Sequence, residues 1–168
     1  DWKALYPTLT DREIADLTGW KPVATEQEAQ AHVQRHVEEN ETLALVLKEN
    51  GQMIGTLSVQ KRPWGEYPIN QALRGRELGF DLSRDYWGRG LMPEAVRAMC
   101  EHCFETLGYD FVTCGAFRRN GRSMHTIEKC GFAFLNEAER QLPTGVTEDI
   151  LTYIRYSPKN PTGEFHYV

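Results

Sequence analysis

Residues 83–99 read SRDYWGRGLMPEAVRAM, with glycines at 88 and 90, a proline at 93 and an apolar helical repeat running on from there. Two explanations compete for the glycines. One is a plain turn, since glycine reaches backbone angles that other residues avoid. The other is an anion seat, because a helix N-terminus presents unpaired N–H groups and the positive end of its dipole. Pro93 suits the first helical turn, where a missing N–H is no loss. Ala95, Val96, Met99, Cys100, Cys103 and Leu107 form an apolar stripe, and Gly108 supplies a left-handed end.

Working outward, ELGFDLS (77–83) reads as a strand leading into the turn, and FVTCGAF (111–117) as the strand after the helix. A strand, crossover helix and strand in this order predict a parallel β–α–β unit, and ligands in such sheets collect at the carboxyl ends of the strands. A short helix follows in GRSMHTIEKCGF (121–132), closed by Gly131, and then two strands, FAFLNEAER (132–140) and DILTYIRY (149–156). The tail SPKNPTGEFHYV reads as loop.

The N-terminal third reads helical. TDREIADLTG places Thr10 and Glu13 at capping-box spacing with Gly19 as a stop, and TEQEAQAHVQRHVEEN repeats the device with Thr25 and Glu28. His32 and His36 share one helical face, a spacing that could hold a metal but lacks a nearby third ligand. Between 42 and 60 the period changes to that of strands, near 42–48 and 52–60, around Asn50-Gly51, a strong hairpin signal. Residues 61–76, KRPWGEYPINQALRGR, carry two prolines, two glycines and two aromatics and read as a long loop of the kind that is functional or mobile. The expected fold class is therefore α/β (α+β), a mixed central sheet with flanking helices. No repeat or linker divides the 168 residues, so the chain reads as one domain, 1–168.

Composition narrows the function classes. Nineteen basic against 24 acidic residues give a net charge of −5, which argues against nucleic acid as the main partner and is compatible with a cationic substrate. No apolar run reaches the roughly 20 residues that span a bilayer, and no signal peptide is evident. The chain begins at Asp1 without a methionine, so sequence upstream is allowed for. The four cysteines, at 100, 103, 114 and 130, lack the second pair that zinc spacing needs and read as reduced core thiols of a cytoplasmic protein, with no metal.

The glycine turn is neither a P-loop, which needs Gly-Lys-Ser/Thr, nor a dinucleotide fingerprint, whose third glycine would fall on Pro93. The wider constellation is more specific. YWGRG followed by EA, N-x-x-S at Asn120–Ser123 and EKCGF closing the second helix resemble the GNAT superfamily of acyl-CoA N-acyltransferases. Within it the likeness is to the ribosomal-protein N-terminal acetyltransferases, RimJ and RimL, and in detail it covers about residues 77–135. The resemblance implies an acetyl-CoA-dependent N-acetyltransferase that acetylates a primary amine, a protein N-terminus or a small molecule, by direct transfer in a ternary complex.

By this resemblance the CoA pyrophosphate rests on the backbone of Trp87, Gly88, Arg89, Gly90, Leu91 and Met92. Trp87 and Met92 depart from the family pattern, so the Met92 side chain has to point away from the ligand. Phe80 and Leu82 would offer backbone groups to the pantetheine, with the Phe80 N–H available to an oxyanion. Asn120 would bond the pantetheine arm or serve as a helix cap. The family's thiolate-protonating tyrosine falls on Ile127, which leaves Ser123 as its substitute. Glu77 is expected as the base, with Glu66 as a rival, and Trp20, Trp64 and Tyr67 either wall the acceptor groove or pack onto the fold. The missing tyrosine keeps open a non-catalytic acyl-CoA-binding module. GNAT domains open with a strand that DWKALYPTLT does not provide, and an edge left uncovered there would suit a homodimer.

Overall fold

The computed structural model describes residues 1–61, 67–142 and 144–160. Among these residues five α-helices, α1 (Trp2–Thr10), α2 (Arg12–Thr18), α3 (Glu26–Glu39), α4 (Leu91–Glu105) and α5 (Gly121–Lys129), flank six strands. These are β1 (Thr42–Val46), β2 (Met53–Gln60), β3 (Gly75–Leu82), β4 (Phe111–Phe117), β5 (Ala133–Gln141) and β6 (Thr147–Tyr156). They form one sheet in the order β1-β2-β3-β4-β6-β5. Among the described strands only β3 and β4 run parallel, joined through α4 as the strand–helix–strand order predicts. The mixed α/β class is borne out.

Residue parity along β3 and β4 decides which layer each side chain serves. Leu78, Leu82, Val112, Cys114 and Ala116 point to the face covered by α4 and α5, where Val96, Cys100, Cys103 and Ile127 are fully buried. On the other face Phe111 packs with Ile69, Leu73 and Ile154, so the described part of the long loop is folded down onto the sheet. Farther along, Leu5, Leu9 and Ala29 join α1 to α3 over β2.

Local signals account for most boundaries. Thr25 accepts from the Glu28 N–H while the Glu28 carboxylate accepts from the Ala24 N–H, a capping box shifted by one residue on its return side. α2 corrects the expected cap: its N-cap is Asp11, whose carboxylate takes the Glu13 and Ile14 N–H groups, and the Thr10 hydroxyl instead donates back to the Tyr6 carbonyl. Gly19, at φ 84°, ends α2 as expected. β3 starts two residues earlier than its hydrophobic run, at Gly75. Leu107 lies beyond α4 and is exposed; Phe104 completes the buried stripe in its place. α1 is the first element, a helix that contains Pro7.

The two histidines of α3 face one another. His36 Nε2 lies 2.9 Å from His32 Nε2, and the Thr42 hydroxyl is 3.0 Å from His36 Nδ1, tying α3 to β1. Burial foremost, then the neighbouring His36 and Arg35, pushes His32 down to about 4, and burial also lowers His36. Among the described residues no three His, Cys, Asp or Glu side chains gather as metal ligands.

Two outcomes follow from this packing. A Cβ on Gly75 would lie 2.2 Å from the Phe111 ring. Gly75→Ala should therefore cost about 2–3 kcal/mol by overpacking, a fall of about 5–10 °C in thermal midpoint, with Gly51→Asn in its open turn as a near-silent control. The histidine pair makes the fold acid-sensitive. A lowered His pKa contributes stability that is present above about 6.5 and lost as pH falls toward 4, so His32→Gln should flatten the pH dependence of denaturant midpoints in that window.

Candidate functional site

The parallel ladder between β3 and β4 has four pairs, from Gly75–Phe111 to Leu78–Cys114. Beyond them β3 stays on β2 as far as Leu82–Gly55, and β4 stays on β6 as far as Phe117–Ile150. The two central strands therefore part, and a wedge opens at their carboxyl ends. The Ser83 N–H donates to the Ile54 carbonyl, which fixes the alternation along β3. Asp81 then faces β2 through its backbone, while the N–H and C=O of Phe80 and Leu82 face the wedge.

At the mouth of the wedge the chain turns through Gly88 and Gly90, both in the left-handed region at φ 74° and 76°. Gly90 is the N-cap of α4 and brings no side-chain acceptor, so the first N–H groups of a 15-residue helix are left for another partner. A Cβ on either glycine would meet nothing within 4 Å. The Trp87 indole N–H donates 2.7 Å to the Leu82 carbonyl, which pins the turn to the strand end and occupies that carbonyl. The Arg122 guanidinium lies over the Trp87 ring. Met92 is buried among the α4 core residues and also lines the floor of the cleft that opens here. Arg89 is exposed, with its guanidinium over Tyr86.

A cleft of about 340 Å³ occupies this wedge. The strand end and turn form one wall, the first turns of α5 with Asn120 and Ser123 form the second, and Ile14, Leu17 and Thr18 of α2 close the third. Asn120 is spent on architecture: Oδ1 caps the Ser123 N–H and Nδ2 donates to the Leu17 carbonyl. Arg119 reinforces the same joint through Asp16 and Glu148. Arg122, His125 and Lys129 add basic groups on the α5 side. A small-molecule anion could thus be held by backbone N–H groups, with an extended arm running along the unpaired edge of β3.

The expected site residues divide between this cleft and its surroundings. Phe80, Leu82, Trp87, Gly88, Gly90, Leu91, Met92, Asn120 and Ser123 line it; Arg89 stands outside. Glu77 sits on the opposite sheet face, beside Gln60 and Thr113, and does not line the cleft. Trp20 packs edge-on against His32, and Tyr67 joins the Phe111 cluster. Trp64 and Glu66 lie outside the described residues. Ile127 is fully buried in the core, so its position supplies no polar group.

Of the cleft residues not expected from sequence, the buried acid Asp81 carries the most chemistry. Asp81 lines the cleft between Phe80 and Leu82, and the Thr56 hydroxyl donates to its Oδ2. Burial pushes its pKa from 3.8 up to about 6, with the Thr56 hydrogen bonds pulling the other way. The available signal was an acid inside an otherwise apolar strand segment, FDL. No helix among the described residues is long and apolar enough to cross a membrane.

The sequence signature described as an acetyltransferase (GNAT) domain matches residues 1–133. A Bacillus subtilis protein named "Probable N-acetyltransferase YjcK" is 33% identical over 98 residues, 58% of this chain and 51% of that protein. The chain spans about half the length of the curated relatives it matches. A GNAT-family acetyltransferase from Bacillus anthracis superposes with a TM-score of 0.79 at 19% identity, over 93% of this chain and 89% of that one. The spermidine N-acetyltransferase of Vibrio cholerae, solved with CoA and spermine, gives 0.75 at 16% identity, over 95% and 92%. Strand divergence, glycine turn and sequence signature agree: this chain belongs to the GNAT acetyltransferase domain family.

Proposed function

We propose that the chain is an acetyl-CoA-dependent N-acetyltransferase that acetylates a primary amine by direct attack in a ternary complex. The observation that carries the reading is the wedge between β3 and β4 opening onto an uncapped helix N-terminus. The two open glycines leave room for a pyrophosphate against backbone N–H groups, and α4 directs its dipole there. Pantetheine would lie along the free edge of β3, which brings the thioester carbonyl toward the Phe80 N–H. That donor is fixed before reaction, so it stabilises a developing oxyanion without reorganisation cost. Ser123 stands on the first turn of α5 and is suited to bond the departing sulfur.

The acceptor would enter from the sheet face opposite α4 and α5, where Ile14, Leu17 and Thr18 of α2 line the cleft. The N-x-x-S and EKCGF segments support placing the chain near the ribosomal-protein N-terminal acetyltransferases. The Vibrio cholerae relative, crystallised with spermine, supports a cationic amine as the acceptor class. All four cysteines are buried free thiols, which suits a reducing cytoplasm and a reaction without an enzyme-bound acyl group. The burial of Ile127 favours one second reading, an acyl-CoA-binding module without turnover.

Acetyl-CoA titration by calorimetry tests the seat. Gly90→Trp should weaken binding at least about 100-fold, at a backbone cost of about 1–2 kcal/mol that leaves the chain folded. Unaltered binding would refute the phosphate seat. A thiol-release assay over an amine panel separates enzyme from binding module, and Ser123→Ala should slow turnover about tenfold while acetyl-CoA binding holds.

A further inference from the structure

We propose that Asp81 is the catalytic residue that receives the acceptor's ammonium group and takes its first proton, an assignment that rests on the acetyl-transfer reading above. Four observations place it there. Asp81 follows Phe80, whose N–H faces the wedge, so its carboxylate stands one residue from the expected oxyanion donor. It projects to the sheet face opposite α4 and α5, the side that the reading above assigns to the acceptor and not to the co-substrate. It lines the cleft, whereas Glu77 lies four residues back along the strand, about 13 Å away, and does not. Thr56, directly across on β2 and itself 8% exposed, orients the carboxylate through its hydroxyl.

The charges around it leave this role to Asp81. Arg84, after β3, pairs with Asp11, the N-cap of α2, and with Glu13 at 2.7 and 2.6 Å, and Asp16 pairs with Arg119 at 2.7 Å. Arg122, His125 and Lys129 face the cleft from α5, on the side proposed for the anionic co-substrate. Toward β1, Thr56 borders a second hollow that Asp1 and His36 also line. Burial is the largest influence on Asp81 and raises it to about 6. A carboxylate of that strength is ionised at neutral pH yet basic enough to accept a proton from a bound ammonium.

Asp81 takes one proton from R–NH₃⁺, and the neutral nitrogen attacks the thioester carbon. The C–N bond forms, the C–S bond breaks, and a second nitrogen proton ends on the departing sulfur as CoA–SH. Asp81 then returns its proton to solvent through the cleft.

The test uses the full chain, acetyl-CoA, and spermidine, L-lysine and an alanine-initiated tripeptide as acceptors. Asp81→Asn should lower kcat/KM about 100–1,000-fold while acetyl-CoA affinity stays within about twofold. The unmutated chain should lose activity below an acidic limb near pH 6, and Thr56→Val, which removes a donor to the ionised form, should move that limb upward while preserving the alkaline plateau. Stability provides the independent readout. An acid with a raised pKa contributes stability that is present below its unfolded value and lost as pH rises through its folded value. Asp81→Asn should therefore raise the thermal midpoint at pH 8, with little change at pH 4. Wild-type kcat/KM in Asp81→Asn, loss of the limb in Glu77→Gln but not in Asp81→Asn, or a lowered midpoint for Asp81→Asn at pH 8 would each overturn the role alone. Failure of the unmutated chain to bind acetyl-CoA or turn over any of these amines would overturn the transfer reading, and the role with it.

Discussion

The cleft depends on one feature of the sheet: β3 and β4 do not stay paired beyond Leu78 and Cys114. A parallel ladder that ran to the strand ends would consume the N–H and C=O of Phe80 and Leu82, and the molecule would have a closed sheet with no edge to offer. Because each strand keeps its other neighbour, β2 for one and β6 for the other, the sheet absorbs the divergence without losing either strand. The unpaired groups are then partly re-satisfied from within. Trp87 takes the Leu82 carbonyl, and the Phe80 groups are left facing the cleft.

An opening of this kind needs walls that hold it at a fixed width. Asn120 does this from one end by capping α5 while bonding the Leu17 carbonyl of α2, so the end of β4 is tied to a helix about a hundred residues earlier. Arg119 adds its links to Asp16 and Glu148. The Gly19 terminus of α2 lies so close to the Phe117 ring that a Cβ there would meet it at 2.7 Å. The third wall is thus fixed by packing and by hydrogen bonds at once. Two readings of Asn120, ligand contact and helix cap, were open from sequence; the geometry assigns its amide to the cap and to α2.

What could be read from the chain and what could not divides along sequence distance. The capping residues Thr25 and Glu28, the Asn50-Gly51 hairpin and the Gly88–Gly90 turn announce themselves because each acts on neighbours within four residues. Asp11 displaced Thr10 as the cap of α2 because adjacent residues can both serve, and α1 ends on Thr10. Asp81 was illegible for a different reason: its partner Thr56 is 25 residues away, and only the β2–β3 register brings them together. For Trp20 and Tyr67 the sequence leaves groove wall and packing onto the fold equally open; one packs on His32 and the other on the Phe111 cluster. Aromaticity carries no direction until the surrounding elements are placed.

The alternation of β3 explains how one strand can serve both stability and chemistry. Leu78 and Leu82 spend their side chains on the α4–α5 core, where burying such a side chain contributes about 1.5–3 kcal/mol. Glu77 and Asp81 face the other way, and there a carboxylate half-removed from water is a cost rather than a gain. A fold built for stability alone would place an apolar residue opposite Thr56. The acid that stands there instead is set beside an open backbone edge and a helix terminus with no side-chain cap, so one cleft holds a buried carboxylate and unpaired N–H groups together.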